Sequence, residues 1–425
     1  MDDTVMQRSE TIAVPPGAPR IAFYLDDLGG GGVQRMTLVL AGEFARHGFP
    51  TDVLVNETTG EFRDRVPPGV RVIELAPAAP TLGCVHALRA DPPLGMYLAH
   101  RLVLDWRRTR RLLDRIPPLV RHLAAEPTAC LVSATPRINI IAAIAARAES
   151  SGTRVILTER NSILAKLEKG RWRELVPVMK RAYRLADHVV AVSEDLAREV
   201  AAALDLPGGV LAIHNPVVGA DLEQQAAAPL DDPWFAPGAP PVVLGAGRLS
   251  TQKDFESLVR AFAIVRRERP CRLLILGKER DAKRDVARRE ALLAIAREEG
   301  VADDVRLPGF VANPFPYMAR AALFALSSRD EGLPGVLIQA MACGTPVVST
   351  DCPTGPREIL EGGRFGPLVP VGDAKALAEA IRATLDAPPA RETMVARARC
   401  FSVERAFARY RSLALEGRDF AAFSA

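Results

Sequence analysis

The chain has 425 residues, more than one hydrophobic core usually covers, so two domains are expected. Hydrophobic residues make up 48% and charged residues 25% of it, as in ordinary globular proteins, and a net charge of +4 is too small to indicate a nucleic-acid-binding protein. No apolar run reaches the roughly 18 to 20 residues of a transmembrane helix. Residues 1–19 carry three acidic residues and no apolar run, which predicts a disordered lead-in rather than a signal peptide or a membrane anchor.

The six cysteines are scattered along the chain, and no two of them have the close spacing of zinc ligands. We expect reduced thiols within the cores, as is typical of a reducing compartment. The composition therefore predicts a cytoplasmic protein.

Strands alternate with helices through the first half of the chain. The predicted strands are residues 20–25, 51–55, 71–75, 130–133, 154–158 and 187–193, with helices at 33–47 and 138–147. This alternation is typical of a parallel sheet covered by helices on both faces. We therefore assign residues 20–225 to an N-terminal Rossmann-like domain.

Residues 226–241 contain five prolines and two aspartates, which predicts a linker. The alternation then restarts, with strands at 242–246, 272–276, 305–307, 323–327 and 345–349 and helices at 255–267 and 284–299. Residues 242–401 form a second Rossmann-like domain, and we expect a helix at about 402–418 to return to the first. The predicted fold class is α/β, with two parallel-sheet domains facing across a cleft that is the expected ligand site.

The most informative stretch runs from Ser328 to Ser349. It places Glu331 in a loop rich in glycine and proline, followed by a predicted helix from Pro334 to Gly344 and a strand from Thr345. Small residues that open a helix after a strand present free backbone N–H groups and the positive end of the helix dipole. The stretch therefore predicts a phosphate site, with Glu331 where a bound sugar nucleotide would place its sugar.

Two other loops follow predicted strands. Glycines 29–32 open a helix and can approach an anion, although a tight turn without ligand contact is the alternative. Arg248 and Lys253 can converge on a diphosphate, or can be two solvated surface charges. The chain contains no Asp-x-Asp pair to hold a divalent metal against a diphosphate. We therefore expect these two cations and the helix end at residues 332–335 to neutralise it, with no metal required.

Several stretches together resemble a known family. They are residues 29–32, 157–161, 191–194, 213–216, 247–253, 308–311, 327–360 and 366–373. In number and order they resemble the retaining GT-B glycosyltransferases of the group 1, or family 4, type, from residue 20 to about 386. That family includes bacterial sugar transferases for polysaccharides, glycolipids and lipid-linked oligosaccharides.

The resemblance implies a role for each matching residue. Arg248 and Lys253 would bind the donor diphosphate and stabilise the leaving group, and Glu331 would contact the donor sugar; these three are the expected catalytic residues. The other expected donor-binding residues are Gly31, Gly32, Pro308, Phe310, Gly332, Leu333, Pro334, Leu337 and Gln339. The resemblance further implies a UDP-type nucleotide sugar as co-substrate, a glycan or glycolipid acceptor, and transfer with retention in which the diphosphate takes the acceptor proton.

The chain departs from the family pattern at three places. Gln339 stands where the pattern has a second glutamate that accepts hydrogen bonds from the ribose, and only Gly277 remains of a Gly-x-Gly loop. Residues 133–139 lack the histidine that many relatives place near the donor sugar. Arg137 and Asn139 are the polar candidates there, and we expect them to contact the acceptor.

Two further segments of the first domain are candidates for contact with the acceptor or with a membrane. Glu159 and Arg160 end a buried strand, where either acceptor contact or an interdomain salt bridge is expected. Residues 96–126 hold seven arginines and three acidic residues among apolar side chains, on a predicted helix broken at Pro117 and Pro118. Such a segment either lies on the inner face of an anionic membrane or packs on its own domain as a solvated helix.

Rival functions remain at this point. A nucleotide-sugar epimerase on the same fold would need acid and base groups, which are few at these motifs. A catalytically weak sugar-nucleotide-binding scaffold subunit is favoured by Gln339 and by the lost glycine loop. A nicotinamide oxidoreductase fits least, because the first glycine run lacks the last glycine of a dinucleotide fingerprint.

Overall fold

The computed structural model describes residues 17–29, 31–150, 152–168, 173–277 and 282–416. It divides into two compact units, the first comprising Met1–Pro216 with Val403–Ala425 and the second Val217–Ser402. Most of the predicted lead-in, Gly30 and residues 278–280 lie outside the described residues.

The first unit is built on a seven-stranded parallel sheet in the order β3-β2-β1-β4-β5-β6-β7. Its strands are β1 (Ile21–Leu25), β2 (Thr51–Val55), β3 (Val70–Glu74), β4 (Cys130–Ala134), β5 (Arg154–Glu159), β6 (His188–Ala191) and β7 (Leu211–Ala212). All residues of β1, β2 and β4 are buried, as expected when helices cover both faces of a sheet.

In the described residues before β7, the first unit has nine α-helices. They are α1 (Gly32–Arg46), α2 (Pro80–Ala90), α3 (Pro92–Leu104), α4 (Trp106–Leu113), α5 (Ile116–Ala125), α6 (Pro136–Glu149), α7 (Ile163–Glu168), α8 (Val176–Ala182) and α9 (Glu194–Leu204). The break predicted at Pro117 and Pro118 is wrong. Both prolines lie in the first turn of α5, where their missing N–H groups cost nothing, and the breaks fall at Asp105 and after Leu113.

The second unit holds a six-stranded parallel sheet in the order β10-β9-β8-β11-β12-β13. Its strands are β8 (Val242–Ala246), β9 (Arg272–Leu276), β10 (Val305–Gly309), β11 (Leu323–Leu326), β12 (Val347–Thr350) and β13 (Leu368–Val369). Its helices are α10 (Leu222–Ala226), α11 (Phe255–Glu268), α12 (Ala282–Glu298), α13 (Phe315–Arg320), α14 (Gly335–Ala342), α15 (Pro356–Ile359), α16 (Ala374–Asp386) and α17 (Arg391–Ala398). The prediction of two Rossmann-like parallel-sheet domains is confirmed.

The last helix, α18 (Val403–Glu416), belongs to the first unit. Phe407 packs edge-on against Phe44 of α1, with 5.0 Å between ring centroids, and stacks on His47 at 4.2 Å. The C-terminal segment therefore closes the core of the unit in which the chain began.

The boundary between the units lies earlier than the predicted linker. Residues 226–241 are part of the second unit, because their side chains pack on its sheet. The guanidinium groups of Arg272 and Arg306 lie 5.1 and 4.4 Å from the ring centroid of Trp234, and Arg306 also pairs with Asp232. Among the described residues, none of the helices is long and apolar enough to cross a membrane.

Candidate active site

The strand order of the second sheet reverses between β8 and β11. The chain runs from β8 outward to β9 and β10, then returns to β11 on the other side of β8 and continues to β12 and β13. In open parallel sheets, ligands bind beyond the carboxyl ends of the strands at such a reversal. Here the loops that leave those two ends are residues 247–254 and 327–334, which contain the predicted catalytic residues.

Lys253 and Glu331 meet at this point. The Lys253 Nζ lies 2.6 Å from the Glu331 Oε1, although the two residues are 78 positions apart in the chain. Their side chains are 12% and 10% exposed, so water screens the pair less than it screens a surface salt bridge. The loops of β8 and β11 thus place a cation and an anion in direct contact at the expected ligand position.

Ser328 holds the carboxylate from the other side. Its hydroxyl donates to the same Glu331 Oε1 at 2.7 Å, so one carboxylate oxygen accepts from both Ser328 and Lys253. In the part of the chain that the structure describes, the second oxygen, Oε2, accepts no hydrogen bond. The Glu331 side chain therefore has a fixed orientation and a remaining acceptor.

The two loops are also fastened to each other through their backbones. Arg329 N donates to Gln252 O at 2.8 Å, Gln252 Nε2 donates to Asp330 O at 2.7 Å, and the Ser327 hydroxyl donates to Lys253 O at 2.8 Å. From β12 and the loop that follows it, Thr350 donates to Ser328 O at 2.6 Å, and Thr354 donates to Glu331 O. These bonds satisfy buried backbone carbonyls and fix the loop that carries Glu331.

Two glycines allow this close packing. Gly247 has φ +151°, and a Cβ there would lie 2.9 Å from the Cε of Lys253, so a side chain would displace the lysine. Gly355 has φ +92°, and a Cβ there would lie 2.8 Å from the carbonyl oxygen of Gly332. Both positions therefore require glycine, and each lies against the predicted site.

The helix α14 begins one residue later than predicted. Pro334 is its N-terminal cap, with an extended ψ of 95°, and Gly335 is its first residue. The helix ends at Ala342, and β12 begins at Val347 rather than at Thr345. Leu333, Leu337 and Gln339 are buried around this helix.

The remaining predicted donor residues differ in exposure. Arg248 is exposed, and its guanidinium makes no hydrogen bond or ion pair within the described ranges, so its charge is available to a ligand. Pro308 and Phe310 are also exposed, at the end of β10. Gly277 approaches the backbone of Gly247 closely, since a Cβ there would lie 2.7 Å from its carbonyl oxygen.

In the first unit, Gly31 caps α1 and Gly32 is the helix's first residue. Asp27 organises this turn, because its Oδ1 accepts from Gly29 N at 2.8 Å and from the Gln34 side chain at 2.9 Å. The Asp27 carboxylate thus already accepts hydrogen bonds from the Gly29 N–H and from the Gln34 side chain. Donor contact by Gly31 and Gly32 stays a prediction.

Two predicted acceptor residues of the first unit contact each other. Asn139 Nδ2 donates to the Glu159 Oε1 at 3.0 Å, and the Tyr183 hydroxyl donates to the same oxygen. Glu159 is 1% exposed, and burial raises its pKa to about 7, although the hydrogen bonds from Tyr183 and Asn139 act to lower it. Asn139 itself is fully buried.

The other two acceptor candidates have different partners. Arg137 pairs with Asp26 after β1, and both side chains are partly exposed. Arg160 donates to the Asn215 Oδ1 at 2.7 Å, while burial lowers its pKa. Acceptor contact by these four residues stays a prediction.

Sequence reasoning missed four residues of these two clusters: Ser328, Thr354, Asp26 and Tyr183. Ser328 lies in the same loop, three residues before Glu331, whereas Thr354 reaches Glu331 only through the pairing of β11 with β12. No three histidine, cysteine, aspartate or glutamate side chains of the described residues are grouped as a metal site.

Family models match both halves of the chain. One described as glycosyl transferases group 1 matches residues 240–387, and one described as glycosyltransferase family 4 matches residues 30–218. Together they span every strand of the two sheets except β1.

Individual relatives are more distant. An N-acetylgalactosamine-N,N'-diacetylbacillosaminyl-diphospho-undecaprenol 4-alpha-N-acetylgalactosaminyltransferase of Campylobacter jejuni is 29% identical over 59% of this chain and 65% of its own. The lipopolysaccharide core biosynthesis glycosyltransferase LpsE of Rhizobium meliloti is 36% identical over 36% of this chain and 41% of its own. The chain therefore matches less than two thirds of the length of either relative.

Solved structures share the fold. HepE of Anabaena in complex with UDP-glucose superimposes with a TM-score of 0.70 at 19% identity, covering 94% of this chain and all of that one. A glycosyltransferase of Rickettsia africae gives 0.71 at 14% identity, covering 94% and 98%. With both sheets matched by models of one enzyme type, the chain belongs to the group 1, family 4 glycosyltransferases of the GT-B fold.

Proposed function

We propose that the protein transfers a sugar from a nucleotide-diphosphate sugar to a hydroxyl acceptor with retention of anomeric configuration. The observation that carries this proposal is the Lys253–Glu331 pair at the reversal of the second sheet. It sets a cation for the diphosphate beside a carboxylate for the sugar. In a nucleotide-sugar donor, the diphosphate and the sugar are joined at the anomeric carbon.

The cations act on the leaving group. Negative charge grows on the diphosphate as the bond to the sugar breaks, and fixed positive groups stabilise that charge most in a partly dry site. Arg248 is exposed beside Lys253 in the same loop and supplies a planar, two-pronged donor. The N-terminus of α14 adds backbone N–H groups and its dipole. We propose that these groups make a metal unnecessary, with the departing diphosphate taking the acceptor proton.

The ion pair must exchange partners when the donor binds. Without donor, Lys253 is held by Glu331; a diphosphate oxygen offers it a second anion, while Glu331 turns its remaining oxygen to a hydroxyl of the sugar. Ser328 keeps the carboxylate in place during this exchange. Lys253 therefore keeps an anionic partner in the free and bound states, and Glu331 keeps the hydrogen bond from Ser328 and gains one from the sugar.

The nucleotide and acceptor are proposed from the relatives. HepE of Anabaena was crystallised with UDP and with UDP-glucose, which supports a UDP-type donor, with Leu337, Pro308, Phe310 and Gln339 near the nucleoside. The relatives named above act on an undecaprenol-linked sugar and in lipopolysaccharide core synthesis, which supports a glycan or lipid-linked acceptor in bacterial polysaccharide or glycolipid assembly. The six free thiols agree with a cytoplasmic site of action.

One observation favours a second candidate, a sugar-nucleotide-binding subunit with little activity. Gln339 is buried in α14 and has no charge to offer a ribose. Such a subunit would bind the nucleotide but neither transfer nor hydrolyse its sugar.

A thermal-shift screen of the pure protein tests the proposal. UDP, GDP, ADP, dTDP and their sugar conjugates are added with EDTA or with Mg²⁺. We expect stabilisation by a uridine nucleotide in EDTA, and its loss in Arg248→Ala. Release of UDP from the stabilising sugar conjugate then separates a transferase from a binding subunit. Stabilisation by no nucleotide would contradict both candidates.

A further inference from the structure

The corner between α3 and α4 exposes three large apolar side chains. Val103 and Leu104 end α3 with 83% and 67% exposure, and Trp106 begins α4 with 50% exposure. Only Asp105 lies between Leu104 and Trp106 in the chain. Single exposed apolar residues are normal on a protein surface, but three within four residues form a contiguous patch, which marks an interaction site.

These side chains are not a displaced part of the core. Each of the two helices already buries another face, α3 through Leu98 and Leu102 and α4 through Leu112 and Leu113. The corner therefore protrudes from helices whose packing within their own unit is complete.

The patch is bordered by cations. The helix α4 carries four arginines and no acidic residue. Arg108 pairs with Glu174 at 3.3 Å, and the guanidinium of Arg110 lies 5.8 Å from the ring centroid of Trp106. Arg107 and Arg111 are exposed and form no ion pair with any residue in the described ranges. Two arginines that form no ion pair in the described part of the chain thus lie beside exposed apolar surface.

We propose that this corner, residues 103–111, docks the protein on an anionic lipid surface. Val103, Leu104 and Trp106 would enter the boundary between headgroups and acyl chains, where tryptophan is favoured. Arg107 and Arg111 would face lipid phosphates, with their aliphatic stems along the apolar layer. This deepens the proposed function, since a lipid-linked acceptor is presented at such a surface.

A protein partner explains the same surface less well. A protein partner would need an acidic group opposite each arginine of this short helix that has no ion pair within the described residues. A membrane with anionic headgroups supplies phosphates at any position. The combination of a protruding apolar corner and unpaired arginines therefore favours lipid.

Co-sedimentation of the full chain with sucrose-loaded vesicles tests the proposal. Vesicles of phosphatidylcholine and phosphatidylglycerol in equal parts are compared with vesicles of phosphatidylcholine alone. We expect binding to the mixed vesicles that weakens as salt is added, because salt screens the arginines. Absence of binding, or equal binding to both vesicles, would overturn the proposal.

Two variants separate the charge from the apolar contribution. Arg107→Gln with Arg111→Gln should weaken binding to mixed vesicles by roughly fivefold for each arginine. Val103→Ser with Leu104→Ser should weaken it by roughly tenfold. The matched controls are Arg63→Gln with Arg65→Gln, an exposed pair of the first unit, and Val286→Ser with Val371→Ser, exposed in the second unit. Equal losses in the controls would show that only total charge or hydrophobicity matters, and would overturn the assignment to this corner.

Further readouts keep this proposal separate from the proposed function. Stabilisation by UDP should be the same in all four variants, since none touches the Lys253 loop. If vesicle binding is absent while UDP still stabilises the protein, only the membrane proposal fails. If Val103→Ser with Leu104→Ser instead dissociates a dimer in sedimentation velocity, the corner is a contact between copies of the chain, and the membrane proposal is again overturned.

Discussion

Each unit holds a carboxylate at the carboxyl end of its sheet, but the two carboxylates differ in their partners and in their exposure. In the second unit, Glu331 is ion-paired with Lys253, and both side chains remain about one tenth exposed. In the first unit, Glu159 is sealed at 1% exposure and accepts hydrogen bonds from the neutral groups of Tyr183 and Asn139. Burial raises its pKa to about 7.

The difference separates a group suited to a ligand from one suited to holding structure. A carboxylate that is ion-paired and partly exposed can exchange its partner when an anionic ligand arrives. A buried carboxyl among neutral groups cannot meet a ligand without local opening, and it takes up a proton near neutral pH instead. On this comparison, we expect the second unit to carry the chemistry and the Glu159 cluster to support the end of β5.

The largest effect is expected from Glu331→Ala. Transfer should fall by roughly 100-fold or more, the scale seen when one electrostatic contact of a transition state is removed. UDP binding should become roughly fivefold tighter, because Lys253 loses the carboxylate that competes for it. Steady-state transfer rates and UDP titration calorimetry measure the two effects.

Glu256→Ala, which removes an exposed carboxylate from α11, is the control and should change neither quantity. Weaker UDP binding in Glu331→Ala would contradict the exchange of partners by Lys253. Unchanged transfer would contradict the role of Glu331 at the sugar.

The next largest effect concerns stability. Lys253→Met leaves the Glu331 carboxylate without its cation in a largely buried place, which should cost about 2 to 3 kcal/mol of unfolding free energy. Adding Glu331→Gln removes the uncompensated charge, so the double variant should recover most of that loss while remaining inactive. Urea unfolding of the two variants measures this. If the double variant is no more stable than Lys253→Met, the pair does not compensate charge as described.

Glu159 gives the matching test in the first unit. Its pKa in the folded protein, about 7, lies above the ordinary value of 4.5, so the folded state binds the proton more tightly. Its stabilising contribution is present below about pH 4.5 and is lost as the pH rises through about 7. The loss should amount to roughly 2 to 3 kcal/mol.

Glu159→Gln should remove this pH dependence. The difference between wild type and variant in urea midpoint, measured from pH 5 to pH 8, isolates the contribution of this group from other titrations. A constant difference over that range would contradict a proton taken up by Glu159. Transfer activity of the variant should change less than that of Glu331→Ala.

The fold could be read from the sequence because both sheets consist of apolar runs separated by helices, a pattern that needs no long-range contact to recognise. The unit boundary could not be read from the sequence, since residues 226–241 look like a linker until Trp234 is seen to contact Arg272 and Arg306. Composition marks where a chain is irregular, but only packing shows to which core that segment belongs.

The same limit applies to the site. The glycine and proline residues around Glu331 predict that it lies in a loop. Lys253 is predicted to lie in a loop because it follows the strand at residues 242–246. Their direct contact depends on β8 lying beside β11, which strand order alone decides. For the same reason, the sequence does not indicate the contact between Asn139 and Glu159, which hydrogen-bond directly and share Tyr183 as a partner.

The smallest expected effect, and the sharpest test of how Glu331 is oriented, comes from Ser328. Ser328→Ala removes one hydrogen bond to the Glu331 Oε1 and should lower kcat/KM by roughly tenfold, the scale of a hydrogen bond to a charged group. UDP affinity should not change, because Lys253 keeps its position. Ser328→Thr retains the hydroxyl and should restore most of the activity if the bond orients the carboxylate. Equal losses in Ser328→Ala and Ser328→Thr would instead mean that the loop tolerates only the shape of serine, and Glu331 would then owe its orientation to Lys253 alone.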